Sequence, residues 1–504
     1  MHQKILSFAI LFLLMVKLTW NEKNEKVNEF LENTVSRPLK ITDTHQTKID
    51  GERKNLLIWG DNELILHSLL EDFKEKIRLI YIDPPFATGG DFNFKILIGE
   101  KNNSINDLAY DDKWKNSLDY YLNFMYNRLI LMKDLLAENG SFYLHVDWHM
   151  SHYIKLMMDE IFGIENFRNE IIWAYPAASA RTRRFYIRSF DVILFYTKSD
   201  DYIFNDDPNI YMEYSDRVKN ALKDDDKGTF YYRGGSHDGK KLSRKVYVTQ
   251  KGIFPRDVWS DIPYIRANTL EYQGFSTQKP ERLLKRIMLA STNAEDIVAD
   301  FFCGSGTTLA VAEKLGRKWI GSDITTQAIH ITRKRLLDIA NSNDLFNWNL
   351  KYGKETNPFN ILSLENEMKK NIIPKNFLSK ETKEDEDYII SENAYFDANI
   401  KKLNNQTIIE LKDYFIPYIN LISNTVKSKI EKWTDWIDYW AIDFNNDNDS
   451  FHNMWVSYRI PKSRKLKLIS DTFHYDKKGV YEILIKVINI LGFENIQNYK
   501  IEID

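Results

Sequence analysis

Cysteine is nearly absent from the sequence, since Cys303 is the single one among 504 residues. That count excludes an internal disulfide and a multi-cysteine metal cluster, and it suits a reducing compartment. A long hydrophobic run is missing as well. The apolar stretch of residues 5–16 is too short to span a bilayer as a helix, and no small-residue cleavage pattern follows it. We therefore expect a buried or frayed N-terminal helix rather than a secretion signal, and no stable membrane association.

The chain also has no excess of positive charge, because its formal net charge is -3. Any binding to nucleic acid must therefore come from a local basic field. What the sequence does contain is 43% hydrophobic and 28% charged residues, enough apolar side chains for a large core. Its length fits two or three domains.

Composition and periodicity divide the chain into four parts. Residues 1–50 form a lead-in with the apolar helix, and residues 51–345 alternate short apolar runs with helix-like stretches. A polar insertion at about 200–270 interrupts this alternation. Residues 346–394, with the acidic run 381–387, are predicted to be a linker. Residues 395–504 carry short runs rich in Tyr, Ile and Val between Asn/Asp turns. This pattern predicts a β-rich domain, for which a β-sandwich is one candidate architecture.

Strand and helix patterns alternate regularly in the second part. We predict strands at 56–59, 77–82, 141–146, 169–173, 191–196, 296–301 and 319–321, and helices at 120–136, 151–162, 281–291 and 307–315. The pair Asn139 and Gly140 is expected to end the first of these helices. This alternation indicates an open, mostly parallel α/β sheet.

The first site-forming segment is Asp83, Pro84, Pro85 and Phe86, directly after an apolar strand. Open α/β sheets build their sites at the carboxyl ends of strands. The prolines remove two backbone donors, so the turn presents carbonyl and carboxylate oxygens that can accept hydrogens from an amino group. Phe86 can stack on a flat ring. A purely structural role, as a proline-rich turn with a capping Asp, is less favoured because a buried strand precedes the segment and an aromatic residue follows it.

The second segment is a glycine turn between a strand and a helix. Gly304 and Gly306 let the backbone approach a ligand closely, and the following helix start supplies free N–H donors. A lone Gly-x-Gly is weak evidence, and a dinucleotide fold competes, although the full three-glycine spacing is absent. The next strand ends at Asp323, a position that suits an acid gripping the ribose of any ribose-bearing cofactor.

Two further segments are weak on their own. Asp61 ends another strand, and the simplest interpretation is a helix N-cap. Lys279 lies in the run Gln278, Lys279, Pro280 and Glu281, which is most simply a helix start.

Together and in this order, the four segments resemble the amino-methylating DNA methyltransferases of the β arrangement. In that family a D-P-P-[YF] motif precedes an F-x-G-x-G motif, with a target-recognition region between them, and residues about 55–340 match this plan. The chain resembles in particular the modification subunits of type III restriction systems and their stand-alone relatives. The resemblance implies a seven-stranded methyltransferase sheet with its last hairpin antiparallel.

The resemblance also implies the activity, the cofactor and the partners. It implies a site-specific, adenine-specific DNA methyltransferase inside the cell, which flips the base out of duplex DNA and methylates its N6 amino group from S-adenosylmethionine, without a metal. Such an enzyme would be the modification part of a restriction-modification system, with a restriction subunit or a second copy of the chain as a partner. The implied cofactor-binding residues are Asp61, Lys279, Phe302, Cys303, Gly304, Ser305, Gly306, Thr307 and Asp323.

Contacts to DNA are expected in and beside the insertion. Residues 233–258 contain seven Lys and Arg but only two Asp, which gives this segment a formal charge of +5. A second basic patch lies at residues 181–188. Two such patches in a net acidic chain favour phosphate contacts over plain solvated loops. The candidate DNA-binding residues are Arg181, Arg183, Arg184, Arg188, Lys240, Lys241, Arg244 and Lys245.

Three alternatives stay open at this point. The same acceptor geometry would serve the exocyclic amino group of cytosine, although enzymes of that kind more often carry Ser where this chain has Asp83. A catalytically silent nucleic-acid-binding module on the same scaffold is opposed by the intact Asp83, Gly304 and Gly306. A nicotinamide-dependent oxidoreductase would need a phosphate-cradling loop that the glycine turn only partly supplies.

Overall fold

The structure is a computed structural model that describes most of the chain. The described residues are 18–21, 23, 36–45, 55–86, 91–101, 103–111, 117–175, 184, 186–237, 240–248, 252–365, 373, 377–379, 390, 392–446 and 450–503. The predicted N-terminal helix at residues 5–16 lies outside them. Within these ranges, none of the helices combines the length and the apolar character needed to cross a membrane.

Strands and helices alternate through the first two thirds of the chain, and strands dominate the rest. The strands are β1 (Leu39–His45), β2 (Asn55–Trp59), β3 (Ile77–Ile82), β4 (Asp91–Ile98), β5 (Asn103–Asp111), β6 (Leu136–Val146), β7 (Phe167–Ala174), β8 (Phe190–Thr197), β9 (Lys223–Asp225), β10 (Gly228–His237), β11 (Lys240–Tyr247), β12 (Val258–Trp259), β13 (Ile297–Asp300), β14 (Lys318–Asp323), β15 (Phe359–Leu364), β16 (Tyr395–Leu403), β17 (Gln406–Phe415), β18 (Ile437–Asp443), β19 (Phe451–Asn453), β20 (Trp455–Tyr458), β21 (Phe473–His474), β22 (Gly479–Asn489) and β23 (Glu494–Ile503).

The helices are α1 (Asn62–Phe73), α2 (Leu118–Leu135), α3 (Ser151–Phe162), α4 (Asp216–Lys219), α5 (Glu281–Ser291), α6 (Thr307–Lys314), α7 (Thr326–Leu337) and α8 (Asn424–Lys427). Short 3-10 turns occupy Ile164–Asn166, Pro208–Ile210, Ile339–Asn341, Ile419–Leu421 and Trp433–Trp436.

The main sheet is open and mostly parallel, as the sequence predicts. Its order is β12-β7-β8-β6-β3-β13-β14-β2-β15-β1-β19, and the six strands from β6 to β15 run parallel to one another. The predicted antiparallel hairpin is present as β7 and β8. Ile80 and Ile82 of β3 pack with helices α1 to α3 on one face, while Leu79 and Tyr81 pack with α5 to α7 on the other. Burial on both faces explains the nearly continuous apolar runs of these strands.

The expected seven strands are corrected to eleven. Strand β1 lies in the predicted lead-in, β15 lies in the predicted linker, and both belong to the main sheet. The β-rich C-terminal region adds β19 beside β1. These additions cover the edge of β2, which would otherwise expose unpaired backbone groups. The exact division of the chain into domains stays a prediction.

Helix α2 and strand β6 also meet differently from the prediction. The helix ends at Leu135 and β6 begins at once, so Asn139 and Gly140 lie within the strand. Ile77 pairs with Leu136, while Leu79 already pairs with Ser141, so the residues between them form a bulge. The Asn-Gly pair therefore marks a bulge rather than the end of the helix.

The insertion and the C-terminal region form smaller sheets. Strands β9, β10 and β11 make an antiparallel sheet in the insertion, and β4 with β5 makes a hairpin after the first site segment. In the C-terminal region, β16-β17-β21 and β20-β18-β22-β23 are two antiparallel sheets whose apolar side chains share one hydrophobic cluster. The region is β-rich as predicted, and its description as a sandwich stays a prediction.

A buried charge cluster connects strand β1 to the C-terminal region. The Asp43 carboxylate is fully buried and lies 2.7 Å from Lys486 Nζ and 3.6 Å from Arg333 Nη2. Asn453 donates a further hydrogen bond of 3.2 Å to the same carboxylate. Burial alone would raise the pKa of Asp43, but Lys486 and Arg333 hold it far below its ordinary value.

We predict that Asp43→Asn lowers the free energy of unfolding by about 3–5 kcal/mol, because it removes the buried carboxylate beside Arg333 and leaves Lys486 with the partly exposed Glu494 at 3.2 Å. The denaturant midpoint in urea measures this loss. The control is Glu410→Gln, which removes the acid that pairs with Lys401 and Lys412 near the surface and should change the midpoint little. An equally small shift for both variants would show that the Asp43 cluster does not hold the sheet edge.

Candidate functional site

Four acids meet in one crevice at the carboxyl edge of the main sheet. Asp61 follows β2, Asp83 follows β3, Asp300 ends β13 and Asp323 ends β14. They line a cavity of about 280 Å³. The crevice lies at the boundary between β3 and β13, where the order of the strands reverses. From β3 the sheet continues to β6 on one side, and from β13 it continues to β14 on the other side. Open α/β sheets bind their ligands at such a point.

The cavity is lined by backbone and side chains of all four strand ends and of the segment before α5. The lining residues are Asp61, Asn62, Tyr81, Asp83, Pro85, Phe124, Arg128, Phe275, Thr277, Gln278, Lys279, Leu284, Asp300, Phe301, Phe302, Cys303, Gly304, Ser305, Thr307, Thr308, Asp323, Ile324 and Thr325.

The Asp83 carboxylate has one engaged and one open oxygen. Lys279 Nζ donates a short hydrogen bond to Oδ2, whereas Oδ1 is buried and has no hydrogen-bond partner among the described residues. The Tyr121 hydroxyl donates to the Pro85 carbonyl at 2.8 Å, which fixes the proline turn against helix α2. A buried acceptor without a partner is costly in a closed core. Because Asp83 lines the cavity, this oxygen is a candidate acceptor for a ligand.

Phe86 packs on a histidine that two other polar side chains hold in place. Its ring stacks on the His145 ring at a centroid distance of 6.0 Å and an interplanar angle of 18°. His145 Nδ1 shares a hydrogen bond of 2.9 Å with the Tyr81 hydroxyl, and Nε2 lies 3.1 Å from Asp191 Oδ2. Burial raises the pKa of the Tyr81 hydroxyl well above its ordinary value, and the charge of Asp83 adds to this. These partners fix the imidazole and so the ring that supports Phe86.

The glycine turn has the geometry that only glycine adopts without strain. Gly304 has φ 49° and Gly306 has φ 72°, both left-handed. A Cβ on Gly306 would lie 2.6 Å from the Thr332 side chain, and one on Gly304 would lie 3.4 Å from the Phe275 ring. Gly306 is the N-cap residue of helix α6, so the helix starts beside the cavity. The turn therefore has no side chain at these two positions and brings the start of helix α6, where N–H donors are free in general, to the cavity.

The two outer acids are already held in place by the protein. Asp323 accepts hydrogen bonds from the Gly304 N–H at 2.9 Å and from the Thr325 N–H and hydroxyl at 3.0 Å each. Burial raises the pKa of Asp323. Asp61 caps helix α1 and receives both a 2.9 Å and a 3.2 Å bond from Arg128 Nη2. The guanidinium of Arg128 also lies 3.6 Å from the centre of the Phe124 ring, which lines the same cavity.

Asp300 is the fourth acid and the most buried. Thr308 donates to its Oδ2 at 2.5 Å and the Phe302 N–H donates to Oδ1 at 3.0 Å. Burial raises the pKa of Asp300 to about 7, against the lowering effect of these two bonds. The carboxyl is thus half protonated near neutral pH.

The structure brings together most of the residues that the sequence singles out. Eight of the nine predicted cofactor residues line the cavity, and Gly306 lies just behind it. Of the catalytic segment, Asp83 and Pro85 line the cavity, while Pro84 and Phe86 do not. Lys279, which the sequence predicts to bind the cofactor, forms an ion pair with Asp83.

Several lining residues are missing from the sequence prediction. Asp300 had a signal, because it ends a predicted strand directly before the glycine turn. Arg128 and Phe124 lie on an amphipathic helix and look like ordinary helix residues in the sequence. Phe275 lies at the end of the polar insertion. Only the packing of α2 and of the insertion against the crevice reveals these three.

The candidate DNA-binding residues are only partly described. Arg181 and Arg183 lie outside the described residues. The guanidinium of Arg188 lies 3.6 Å from the centre of the Trp148 ring. Lys240 and Lys241 begin strand β11, where Arg244 is exposed.

Two further candidates differ in their surroundings. Lys245 Nζ lies 2.6 Å from Asp225 Oδ2, so its charge is already paired. Arg184, in the patch at residues 181–188, is exposed. Lys245 is therefore a weaker candidate for a phosphate contact than Arg244.

Fold and crevice define an α/β protein with a glycine turn at the carboxyl edge of its main sheet, and the relatives give its family. The family model described as DNA methylase matches residues 77–334, just over half of the chain. The chain belongs to this family of N6/N4 DNA methylases. It is therefore a DNA methyltransferase, and its cofactor is S-adenosylmethionine.

Three relatives illustrate the match. The type II methyltransferase M.EcaI of Enterobacter cloacae is 33% identical over 324 residues, which cover 56% of this chain and 69% of that protein. The DNA adenine methyltransferase YhdJ of Escherichia coli K12 is 32% identical over 300 residues, 59% of this chain and 87% of the relative. The probable type III enzyme HindVI Mod subunit of Haemophilus influenzae is 26% identical over 396 residues, 56% of this chain and 50% of the relative. The resemblance drawn from the motifs is confirmed.

We predict that Asp300→Asn changes the pH dependence of stability. An unfolded Asp titrates near about 3.9, whereas Asp300 in the fold titrates at about 7. Between these values the folded protein holds a proton that the unfolded chain has released, so its free energy of unfolding falls as the pH rises. The variant should flatten this fall by on the order of 1 kcal/mol per pH unit. Urea denaturation between about pH 4 and pH 8 measures it, and parallel curves for both proteins would contradict the assignment.

Proposed function

We propose that this DNA methyltransferase transfers a methyl group from S-adenosylmethionine to the N6 amino group of adenine in duplex DNA. The observation that carries the proposal is the Asp83 carboxylate: its Oδ1 is buried and unpartnered among the described residues, and Asp83 lines the same cavity as the glycine turn. An amino group offers two hydrogens and needs such acceptors. The relative YhdJ, by its name an adenine methyltransferase, supports the choice of base.

The residues around the cavity fit the cofactor. The glycine turn brings backbone without a side chain at Gly304, where a Cβ would contact the lining residue Phe275, together with the start of helix α6, which suits the methionine end. Asp323 and Asp61 supply carboxylates at neighbouring strand ends, which suit the ribose hydroxyls and the adenine amino group. Four acids around one cavity also suit a ligand that carries a sulfonium charge. When bound there, S-adenosylmethionine supplies an electrophilic methyl group.

The residues of the chain then prepare the target nitrogen. The flipped base, whose extrusion costs roughly a few kcal/mol, stacks on Phe86, which His145 supports from behind. Asp83 Oδ1 and the Pro84 carbonyl accept the two amino hydrogens. These two hydrogen bonds draw the nitrogen lone pair out of conjugation with the ring and direct it at the methyl group. Positioning therefore supplies most of the rate enhancement. Lys279 holds Asp83 Oδ2 and thereby fixes the direction of Oδ1.

The hairpin of β10 and β11 is the proposed DNA contact. Arg233 and Arg244 lie directly opposite each other in this hairpin, and both are exposed. Like charges in directly opposite positions destabilise a sheet. A phosphate backbone would neutralise the pair, which supports a role in binding DNA. Arg184, Arg188, Lys240 and Lys241 remain further candidates of the same kind.

The biological setting is proposed from the relatives. The similarity to a Mod subunit and to type II methyltransferases supports a modification role in a restriction-modification system. A restriction subunit is then the expected protein partner, and a homodimer stays a prediction. An intracellular location follows from this role.

We predict that Asp83→Ala lowers methyl transfer by on the order of 100-fold or more, because the amino group loses its main acceptor. Cofactor binding, measured by calorimetry, should stay close to that of the wild type. Nucleoside analysis of methylated DNA measures both rate and base, and the wild type should yield N6-methyladenine. The control is Asp201→Ala, at an exposed position. Unchanged turnover of Asp83→Ala would refute its role, and N4-methylcytosine as the product would refute the choice of base.

We further predict that Arg233→Glu with Arg244→Glu weakens DNA binding and reduces the salt slope of the logarithmic binding constant by about 0.9 for each phosphate that is no longer neutralised. Fluorescence anisotropy at several salt concentrations measures this. The matched control is Lys245→Gln, because Lys245 is on the same strand but already pairs with Asp225. A decrease in binding in the control as large as in the double variant would contradict a specific role of the arginine pair.

A further inference from the structure

Helix α7 contacts the glycine turn through two polar side chains. The Thr332 hydroxyl donates to the Gly304 carbonyl at 3.1 Å. Arg335 Nη1 donates to the Ser305 carbonyl at 3.1 Å and to the Thr307 hydroxyl at 2.8 Å. The carbonyls of Gly304 and Ser305 therefore point to the helix. A shift of α7 would carry the turn with it.

The opposite face of the same helix contacts the C-terminal region. His330 Nε2 lies 2.7 Å from Asp438 Oδ2 on strand β18, and Lys334 Nζ forms an ion pair with the same oxygen. All three side chains are almost fully buried. Burial alone would raise the pKa of Asp438, but Lys334 and the hydrogen bond with His330 hold it far below its ordinary value. Burial lowers the pKa of His330 to about 4, so its ring is neutral at physiological pH.

A second contact reaches the cavity from the same side. Phe275, which lies against Gly304, stacks on Phe94 of β4 at a centroid distance of 6.4 Å. Both rings belong to the hydrophobic cluster of the C-terminal sheets, together with Trp440 and Ile442 of β18. One wall of the cavity is thus an extension of the C-terminal core.

We propose that Asp438 is a positioning residue for the cofactor site, and that the C-terminal region serves to hold the glycine turn through helix α7. The inference rests on the proposed function, because it assumes that the turn binds S-adenosylmethionine. Asp438 anchors His330 and Lys334, and the helix transmits this anchor to Thr332 and Arg335 on its opposite face. Because Thr332 and Arg335 bind the carbonyls of Gly304 and Ser305, a displaced helix would displace the turn, and the anchor therefore sets the affinity of the site.

The central experiment measures cofactor affinity and turnover separately in Asp438→Asn. This variant keeps the size of the side chain and removes the negative charge that pairs with Lys334. We expect the Kd for S-adenosylmethionine, measured by calorimetry, to rise about ten-fold, which corresponds to the loss of roughly one hydrogen bond between the turn and the cofactor. At saturating cofactor, kcat should stay near the wild-type value, because the groups that hold the target base are untouched.

The matched control is Asp443→Asn at the other end of the same strand. Asp443 is also buried, and its oxygens accept hydrogen bonds from the N–H groups of Asn445 and His452. This control reports the effect of a damaged C-terminal core alone. It should lower the melting temperature and leave the cofactor Kd unchanged. An equal Kd for the two variants would overturn the role of Asp438.

Two further variants keep the inference testable if Asp438→Asn does not fold. His330→Ala removes one of the two donors to Asp438 and should raise the cofactor Kd by a smaller factor. Thr332→Val removes the bond to the Gly304 carbonyl, and its effect should not add to that of His330→Ala, because both act on one helix. Additive effects, or no effect of His330→Ala, would overturn the inference.

The outcome also separates this inference from the proposed function. If the wild type binds no S-adenosylmethionine, the proposed function fails. If the wild type binds it and methylates DNA, but Asp438→Asn binds it equally well, the proposed function stands and only the positioning role fails.

Discussion

The parallel register between β3 and β13 is the constraint on which the site depends. Ala299 pairs with Ile80, and each strand continues for only a few residues before its site segment begins. Asp83 and the glycine turn are therefore brought to the same level of the sheet, although about 220 residues separate them in the chain. A register shift of one residue would turn the buried side chains of β3 to the opposite face. The acceptor and the turn would then no longer share a cavity.

Crowding four carboxyl groups into one crevice would be unfavourable without compensation. The protein compensates each one differently: Lys279 pairs with Asp83, Arg128 pairs with Asp61, backbone N–H groups bind Asp323, and Asp300 takes up a proton near neutral pH. This compensation of the four carboxyl groups explains why the site can be rigid before any ligand is bound.

Much of this site could be predicted from the sequence, because its main residues stand at the ends of apolar strands. Asp61, Asp83 and Asp323 were found in this way, and the glycine turn was found from its two glycines. Arg128 and Phe275 could not be found, because a helix interior and a polar insertion carry no local signal of what they will contact. The four additional sheet strands were missed for the same reason, since β-strand pairing joins segments that are distant in sequence.

The sequence by itself determined the alternating α/β plan, the family, and the residue types that form the acceptor turn and the glycine turn. These follow from local patterns, since strand ends and turn residues depend on a few neighbouring side chains. Only the tertiary structure decided that Lys279 contacts Asp83, that β1, β15 and β19 extend the sheet, and that Asp438 reaches helix α7. Each of these contacts depends on the packing of segments more than 100 residues apart, and no local pattern encodes such packing.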